Sequence, residues 1–180
     1  PNKKEQWRLP DVVLYPTGGG TGILGMWKAF DELEAIGVID SHRPKIIAIQ
    51  SEENAPVVDA FVQGLEDTIP TNGGQTLATG LNVPGGVGQK AVLEILRESK
   101  GGAIKVSEQD IASHTKAIFQ QYNMWICPEG AATVAALPKA CELGLVTPSD
   151  LVVCFNTGSA EKYLPDMRHL LMDVRGTVRD

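Results

Sequence analysis

Residues 17–22 read Thr-Gly-Gly-Gly-Thr-Gly, and they stand between an apolar run, Asp11–Tyr15, and an amphipathic stretch that opens at Ile23. Three consecutive glycines are entropically costly inside a helix or strand, so they mark a turn. The run before them has the short, unbroken apolar character of a strand buried on both faces. After them, Ile23, Met26, Trp27, Phe30, Leu33 and Ile36 recur at helical spacing, and Gly37 supplies a stop. A strand, a glycine loop and a helix follow in that order. Glycines let such a loop turn its N–H groups onto a ligand, and the helix start adds partial positive charge. Both favour a phosphate. The candidate binding residues here are Gly18, Gly19, Gly20, Thr21 and Gly22.

The alternation continues down the chain. Lys45–Gln50 reads as a second strand, and Ala55–Gln63 as a helix with Asn54 as N-cap and Pro56 in its first turn. Residues 64–88 are rich in Gly, Pro, Thr and Asn and read as a long irregular stretch, a kind that often carries function. Val87–Glu98 reads as a helix and Ala103–Val106 as a strand. Ser107 opens a helix running to about Tyr122. Met124–Cys127 reads as a short strand, Glu129–Leu143 as one helix ended by Gly144, and Leu151–Phe155 as a strand. Alternating strands and helices predict an α/β fold, a mainly parallel twisted sheet with helices on both faces.

Composition narrows the functions. The 180 residues carry a net charge of −6, which argues against a nucleic-acid partner. No apolar run approaches the roughly 20 residues of a membrane span. Cys127, Cys141 and Cys154 have neither disulfide-framework nor zinc-site spacing, so a reducing cytoplasmic setting is the expectation. His42, His114 and His169 are scattered without metal-ligand spacing and read as surface or capping residues. Trp27, Phe30 and Trp125 read as core, and Cys127 as a small buried apolar residue.

A second loop, Asn156-Thr157-Gly158-Ser159, also follows a strand. In open parallel sheets, ligands sit beyond the carboxyl ends of strands, so this loop and the glycine loop are candidates for one site. Taken alone, the first loop has a competing reading. Gly20-Thr21-Gly22-Ile23-Leu24-Gly25 fits G-x-G-x-x-G, with Glu52 and Glu53 after the next strand as ribose partners. A P-loop is excluded because no lysine follows the glycines.

Together, the segments LPDVVLYPTGGGTGILGMWKAFDELEAIG, PKIIAIQSEENAPVV, CPEGAAT and VVCFNTGSAEKY resemble the fold-type II pyridoxal-phosphate enzymes, and among them the threonine synthases. The resemblance spans residues 9–163. It implies a partial tryptophan-synthase-β-like large domain, the C-terminal part of a two-domain enzyme that is a homodimer at full length. It also implies pyridoxal 5'-phosphate as cofactor and a small amino-acid substrate. The family's phosphate loop falls on Gly18, Gly19, Gly20, Thr21 and Gly22. Its hydroxyl facing the pyridine nitrogen falls on Thr157, and its (C/E)P(E/A)GA glutamate falls near Glu129. The GGGTG form is nearer the dehydratases and racemases than the GNAGN-like loop of several threonine synthases.

What the resemblance implies for chemistry is conversion of O-phospho-L-homoserine and water to L-threonine and phosphate. A serine/threonine dehydratase is the alternative within the same chemistry. A nicotinamide-dependent oxidoreductase or a non-catalytic remnant are the alternatives outside it. The family's Schiff-base lysine lies in an S-x-K-D/N-like segment. None of the ten lysines here, Lys3, Lys4, Lys28, Lys45, Lys90, Lys100, Lys105, Lys116, Lys139 and Lys162, has that context. The expectation is a fragment, inactive alone, that lacks the lysine-bearing part.

Overall fold

Successive side chains of each strand point to opposite faces, and here they sort into two separate cores. In the computed structural model, which describes residues 7–167, Val12 and Leu14 of strand β1 (Val12–Pro16) join one core and Val13 the other. In β2 (Lys45–Ser51) Ile47 and Ile49 face the first core and Ile46 and Ala48 the second. Both strands are buried on both sides, as their continuous apolar sequence predicts.

The sheet has four strands, with β3 at Gly102–Val106 and β4 at Val152–Cys154. Their order is β3-β2-β1-β4, and every pairing is parallel. Helices α1 (Thr21–Ala35), α2 (Pro56–Val62) and α3 (Gln89–Glu98) cover one face. On the other face lie α4 (Glu108–Tyr122), α5 (Pro128–Ala135) and α6 (Leu137–Glu142). The predicted architecture is the one observed. Strand order runs outward from β1 to β3, then returns to the far side of β1 with β4. The carboxyl ends of β1 and β4 therefore flank the point where the order reverses, where open α/β sheets place their ligands.

Several helix ends follow their sequence signals. Gly37 adopts a left-handed conformation (φ 72°). Its N–H bonds the Glu34 carbonyl at 2.8 Å and that of Val38 bonds Leu33 at 2.9 Å, which closes α1 with a Schellman pair. The Ser107 hydroxyl oxygen accepts from the Asp110 N–H and caps α4.

Other expectations need correction. The predicted helix Glu129–Leu143 is two helices meeting at Ala136, because Pro138 has no N–H for the Val134 carbonyl. Met124–Cys127 forms no strand and contributes a single antiparallel bridge, Ile126 with Ser159. Asn54 is not the N-cap of α2; Ala55 is, and the capping oxygen comes from Gln50. Helix α3 starts at Gln89 rather than Val87, which is almost wholly exposed. Trp125 is 44% exposed and is no core residue, although its ring meets Phe119 edge-on. Phe30 is buried and Trp27 half-buried. His169 and the last residues of the chain lie outside the described residues.

Candidate functional site

The two loops chosen from sequence leave adjacent strands at the same end of the sheet. Leu14 of β1 is paired with Cys154 of β4, and the Phe155 N–H donates to the Leu14 carbonyl at 3.1 Å. The next side chains along, Tyr15 and Phe155, bring their rings to 5.0 Å. Beyond them, β1 runs into residues 17–20 and β4 into residues 156–159. Sequence separation is about 140 residues, but neighbouring strands are only roughly 4.8 Å apart.

The first loop opens directly into α1. Gly20 is the N-cap in a left-handed conformation (φ 86°), with no side-chain cap and no acid in the first turn. The first carbonyl-directed bond along the helix is from Leu24 N–H to Gly20. The N–H groups of Thr21, Gly22 and Ile23 thus have no acceptor within the helix. Such an end, with its positive partial charge, suits an anion.

Packing explains why most of these positions are glycine. A Cβ on Gly18 would collide with the Gly80 carbonyl, one on Gly20 with Val92, and one on Gly22 with the Tyr15 hydroxyl. Gly19 differs, since the nearest heavy atom to a Cβ there is a Val83 methyl at 4.0 Å. Thr21 is exposed. The cradle is a strip of backbone walled by residues 80–83, with one open position facing out.

Gln50 and Thr17 support it from beneath. The buried Gln50 amide donates to the Thr17 carbonyl, and its oxygen accepts from Val57 and Val58 N–H at 2.9 and 3.1 Å. The Thr17 N–H is held by the Ile49 carbonyl at 2.8 Å.

The second loop is fixed to the start of α5. Asn156 accepts from the Cys127 N–H and thiol, both at 3.0 Å, and its own amide donates to the Gly158 carbonyl. Thr157, between those anchors, is exposed. Cys127 is fully buried at the N-cap of α5, and burial pushes its thiol pKa up. Behind the loop lies Glu129, 4% exposed, whose Oε1 accepts from Gly80 N–H at 2.8 Å and from the Tyr163 hydroxyl at 2.5 Å. Sequence reading placed Glu129 near this site but missed Gln50, Gly80 and Tyr163. A polar residue closing an otherwise apolar strand is the one signal that marked Gln50.

The competing fingerprint reading does not fit. Its third glycine is needed for close helix–strand packing. Gly25 has nothing within 4 Å of a Cβ.

Six of the described lysines have contacts outside the two loops. Lys28, Lys90, Lys105 and Lys139 pair with Glu32, Glu66, Asp59 and Glu142. Lys45 donates to the Leu145 carbonyl, and Lys162 lies over the Tyr163 ring. Among the described residues there is no cluster of acids, histidines and cysteines that would hold a metal, and no helix long and apolar enough to cross a membrane.

Comparison with known proteins gives the family and the fold. Residues 3–158 match the family described as pyridoxal-phosphate dependent enzyme. Threonine synthase of Methanocaldococcus jannaschii is 31% identical over 156 residues, which cover 87% of this chain and 38% of that protein. The Methanosarcina acetivorans threonine synthase is also 31% identical, over 84% of this chain and 37% of its own length. The chain thus spans well under half of these relatives. Among solved structures, Escherichia coli threonine synthase superposes with a TM-score of 0.66 at 16% identity, over 96% of this chain and 37% of that one. An L-serine ammonia-lyase from Rhizomucor miehei gives 0.66 at 18% identity, over 90% and 50%. The fold is that of the tryptophan-synthase-β-like, fold-type II enzymes.

Proposed function

Because the chain belongs to the pyridoxal-phosphate dependent enzyme family, we propose that it is the cofactor-holding portion of a threonine-synthase-like enzyme. That enzyme converts O-phospho-L-homoserine and water to L-threonine and phosphate. The observation that carries this reading is the uncapped, acid-free start of α1 beside the turn that bears Thr157. Residues this chain presents at the two positions match the two ends of the cofactor.

The N–H groups of residues 19–22 bind the phosphate, and the α1 dipole adds to their field. Gly18, Gly20 and Gly22 let that backbone pack close against Gly80, Val92 and Tyr15, and residues 80–83 hold it in place. The Thr157 hydroxyl receives the ring nitrogen. When bound, the cofactor supplies an electron sink for carbanion chemistry at the substrate. A neutral hydroxyl at the ring nitrogen keeps that sink moderate, which suits a substrate whose leaving group shares the work of stabilising charge. The Schiff-base lysine of this reading belongs to a part of the enzyme outside these 180 residues, because none of the ten lysines stands in the S-x-K-D/N-like context of the family.

The test is a product assay on the complete enzyme with O-phospho-L-homoserine, reading threonine and inorganic phosphate in equal amounts. A serine/threonine dehydratase, the reading favoured by the GGGTG form of the loop, would instead give a 2-oxo acid and ammonia from serine or threonine. Failure to retain pyridoxal phosphate at all would remove both.

A further inference from the structure

Among the described residues, Glu129 is the one carboxylate in the buried core, and its contacts lead to the glycine loop. Gly80 stands between them. Its N–H donates to Glu129 Oε1 at 2.8 Å, while its carbonyl lies so close to Gly18 that a Cβ there would collide with it. Val83, three residues on, touches the same side of Gly18. The 79–83 segment is therefore a wedge, with Glu129 behind it and the phosphate loop in front.

Glu129 is itself held from two directions. It sits in the first turn of α5, where the helix dipole favours a negative charge. The Tyr163 hydroxyl donates to the same Oε1 at 2.5 Å. Tyr163 is 4% exposed and packs with Cys127 and Met167. The other carboxylate oxygen, Oε2, is buried without a hydrogen-bond partner. Leaving a buried oxygen unsatisfied is costly. Glu129 keeps that cost while both donors converge on the oxygen that holds Gly80.

We infer that Glu129 and Tyr163 are positioning residues for the phosphate loop, acting through Gly80. Neither touches the cofactor; they fix the wedge that sets how far the Gly18 backbone sits from a bound phosphate. This role presupposes that residues 18–22 take the cofactor's phosphate.

The experiment compares the affinity of the complete enzyme for pyridoxal 5'-phosphate with its affinity for pyridoxal, which lacks the phosphate. Glu129→Ala frees the wedge, and the preference for the phosphorylated form falls about tenfold, the scale of one hydrogen bond to a charged group. Glu129→Gln keeps an acceptor oxygen facing Gly80 and restores most of that preference. Tyr163→Phe, which removes one hydroxyl and leaves the ring to pack, lowers it roughly threefold. Equal losses for both ligands would mark Glu129 and Tyr163 as ordinary structural residues and overturn the inference. So would an unchanged preference in Glu129→Ala and Tyr163→Phe. If the unaltered enzyme shows no preference for the phosphorylated form, the phosphate-loop reading itself falls, and the positioning role with it.

Discussion

The Gln50 side chain ties Thr17 to the start of α2: its Nε2 donates to the Thr17 carbonyl at 3.0 Å, while its Oε1 serves as the cap that α2 otherwise lacks. One fully buried amide thus satisfies three backbone groups from two different elements. Gln50→Leu preserves approximate volume but strands all three in the core. Each buried unsatisfied group costs about 1–3 kcal/mol, with part recovered by relaxation, so the expected loss of stability is about 3 kcal/mol. Urea unfolding measures it. A loss under about 0.5 kcal/mol, the size of an unremarkable surface change, would show that water replaces the amide at no cost.

Within the glycine loop, neighbouring substitutions are expected to fail in different ways. Gly20→Ala places a side chain against Val92 in a left-handed conformation, and Gly22→Ala drives one into the Tyr15 hydroxyl. Both lower the melting temperature. Gly19→Asp has room for its side chain, so the fold survives. Its carboxylate stands where a phosphate dianion belongs, and cofactor affinity falls at least tenfold by like-charge repulsion. Thermal melts and cofactor titrations on the same three proteins separate the effects. A Gly19→Asp protein that binds normally would take this loop out of the site.

Legibility of the site tracked distance along the chain. Both loops were readable because each is a local signal, a turn composition at the end of an apolar strand. Gly37 and Ser107 were readable for the same reason. Asn54 carries the local signal of a cap, but the oxygen that caps α2 comes from a side chain of the preceding strand, and Asn54 instead bonds Asn82 and Thr71. Pro138 is a local breaker that outweighs the alanine-rich helical pattern around it. The wedge could not be read at all. Gly80, Glu129 and Tyr163 lie 49 and 34 residues apart and share one carboxylate oxygen, a relation no periodicity records.

Tyr163 carries a pH prediction. Burial, followed by the Glu129 carboxylate at its hydroxyl, pushes the phenol pKa well above its ordinary value. The folded pKa exceeds the unfolded one, so the stabilisation is complete below about pH 10 and is lost as pH rises past it. In an alkaline absorbance titration, one of the three tyrosines should ionise only together with unfolding. Tyr163→Phe should abolish that late step and leave the rest of the curve unchanged. A late step that persists in Tyr163→Phe would assign it to another residue.

Thiol reactivity should separate the cysteines by burial. Cys141 is exposed, Cys127 fully buried and Cys154 intermediate, with burial raising the thiol pKa of the last two. Only the thiolate of an accessible cysteine attacks a disulfide reagent, and burial hinders the other two, so the exposed Cys141 reacts first. Cys127 should stay silent until denaturant is added, because its thiol is committed to Asn156. Fast labelling of Cys127 in the native protein, located by mass spectrometry, would show that the Asn156 turn opens readily and that Thr157 has no fixed position.

Thr157 is the most direct test of the second loop. It is exposed, so substitution there costs little packing, while Asn156 on one side and the Ile126–Ser159 bridge on the other hold its backbone. If its hydroxyl meets the ring nitrogen, the contact is one hydrogen bond between neutral groups, worth roughly 0.5–1.5 kcal/mol net. Thr157→Val should then weaken cofactor binding about tenfold or less without altering the melting temperature. Thr157→Asp is different in kind, because a carboxylate favours the protonated ring nitrogen and makes the ring a stronger electron sink. The balance of products should shift away from elimination toward side reactions. Comparing product ratios for both variants in the complete enzyme decides it. If Asp and Val behave alike, the hydroxyl does not face the nitrogen, and the two loops lose their claim to opposite ends of one cofactor.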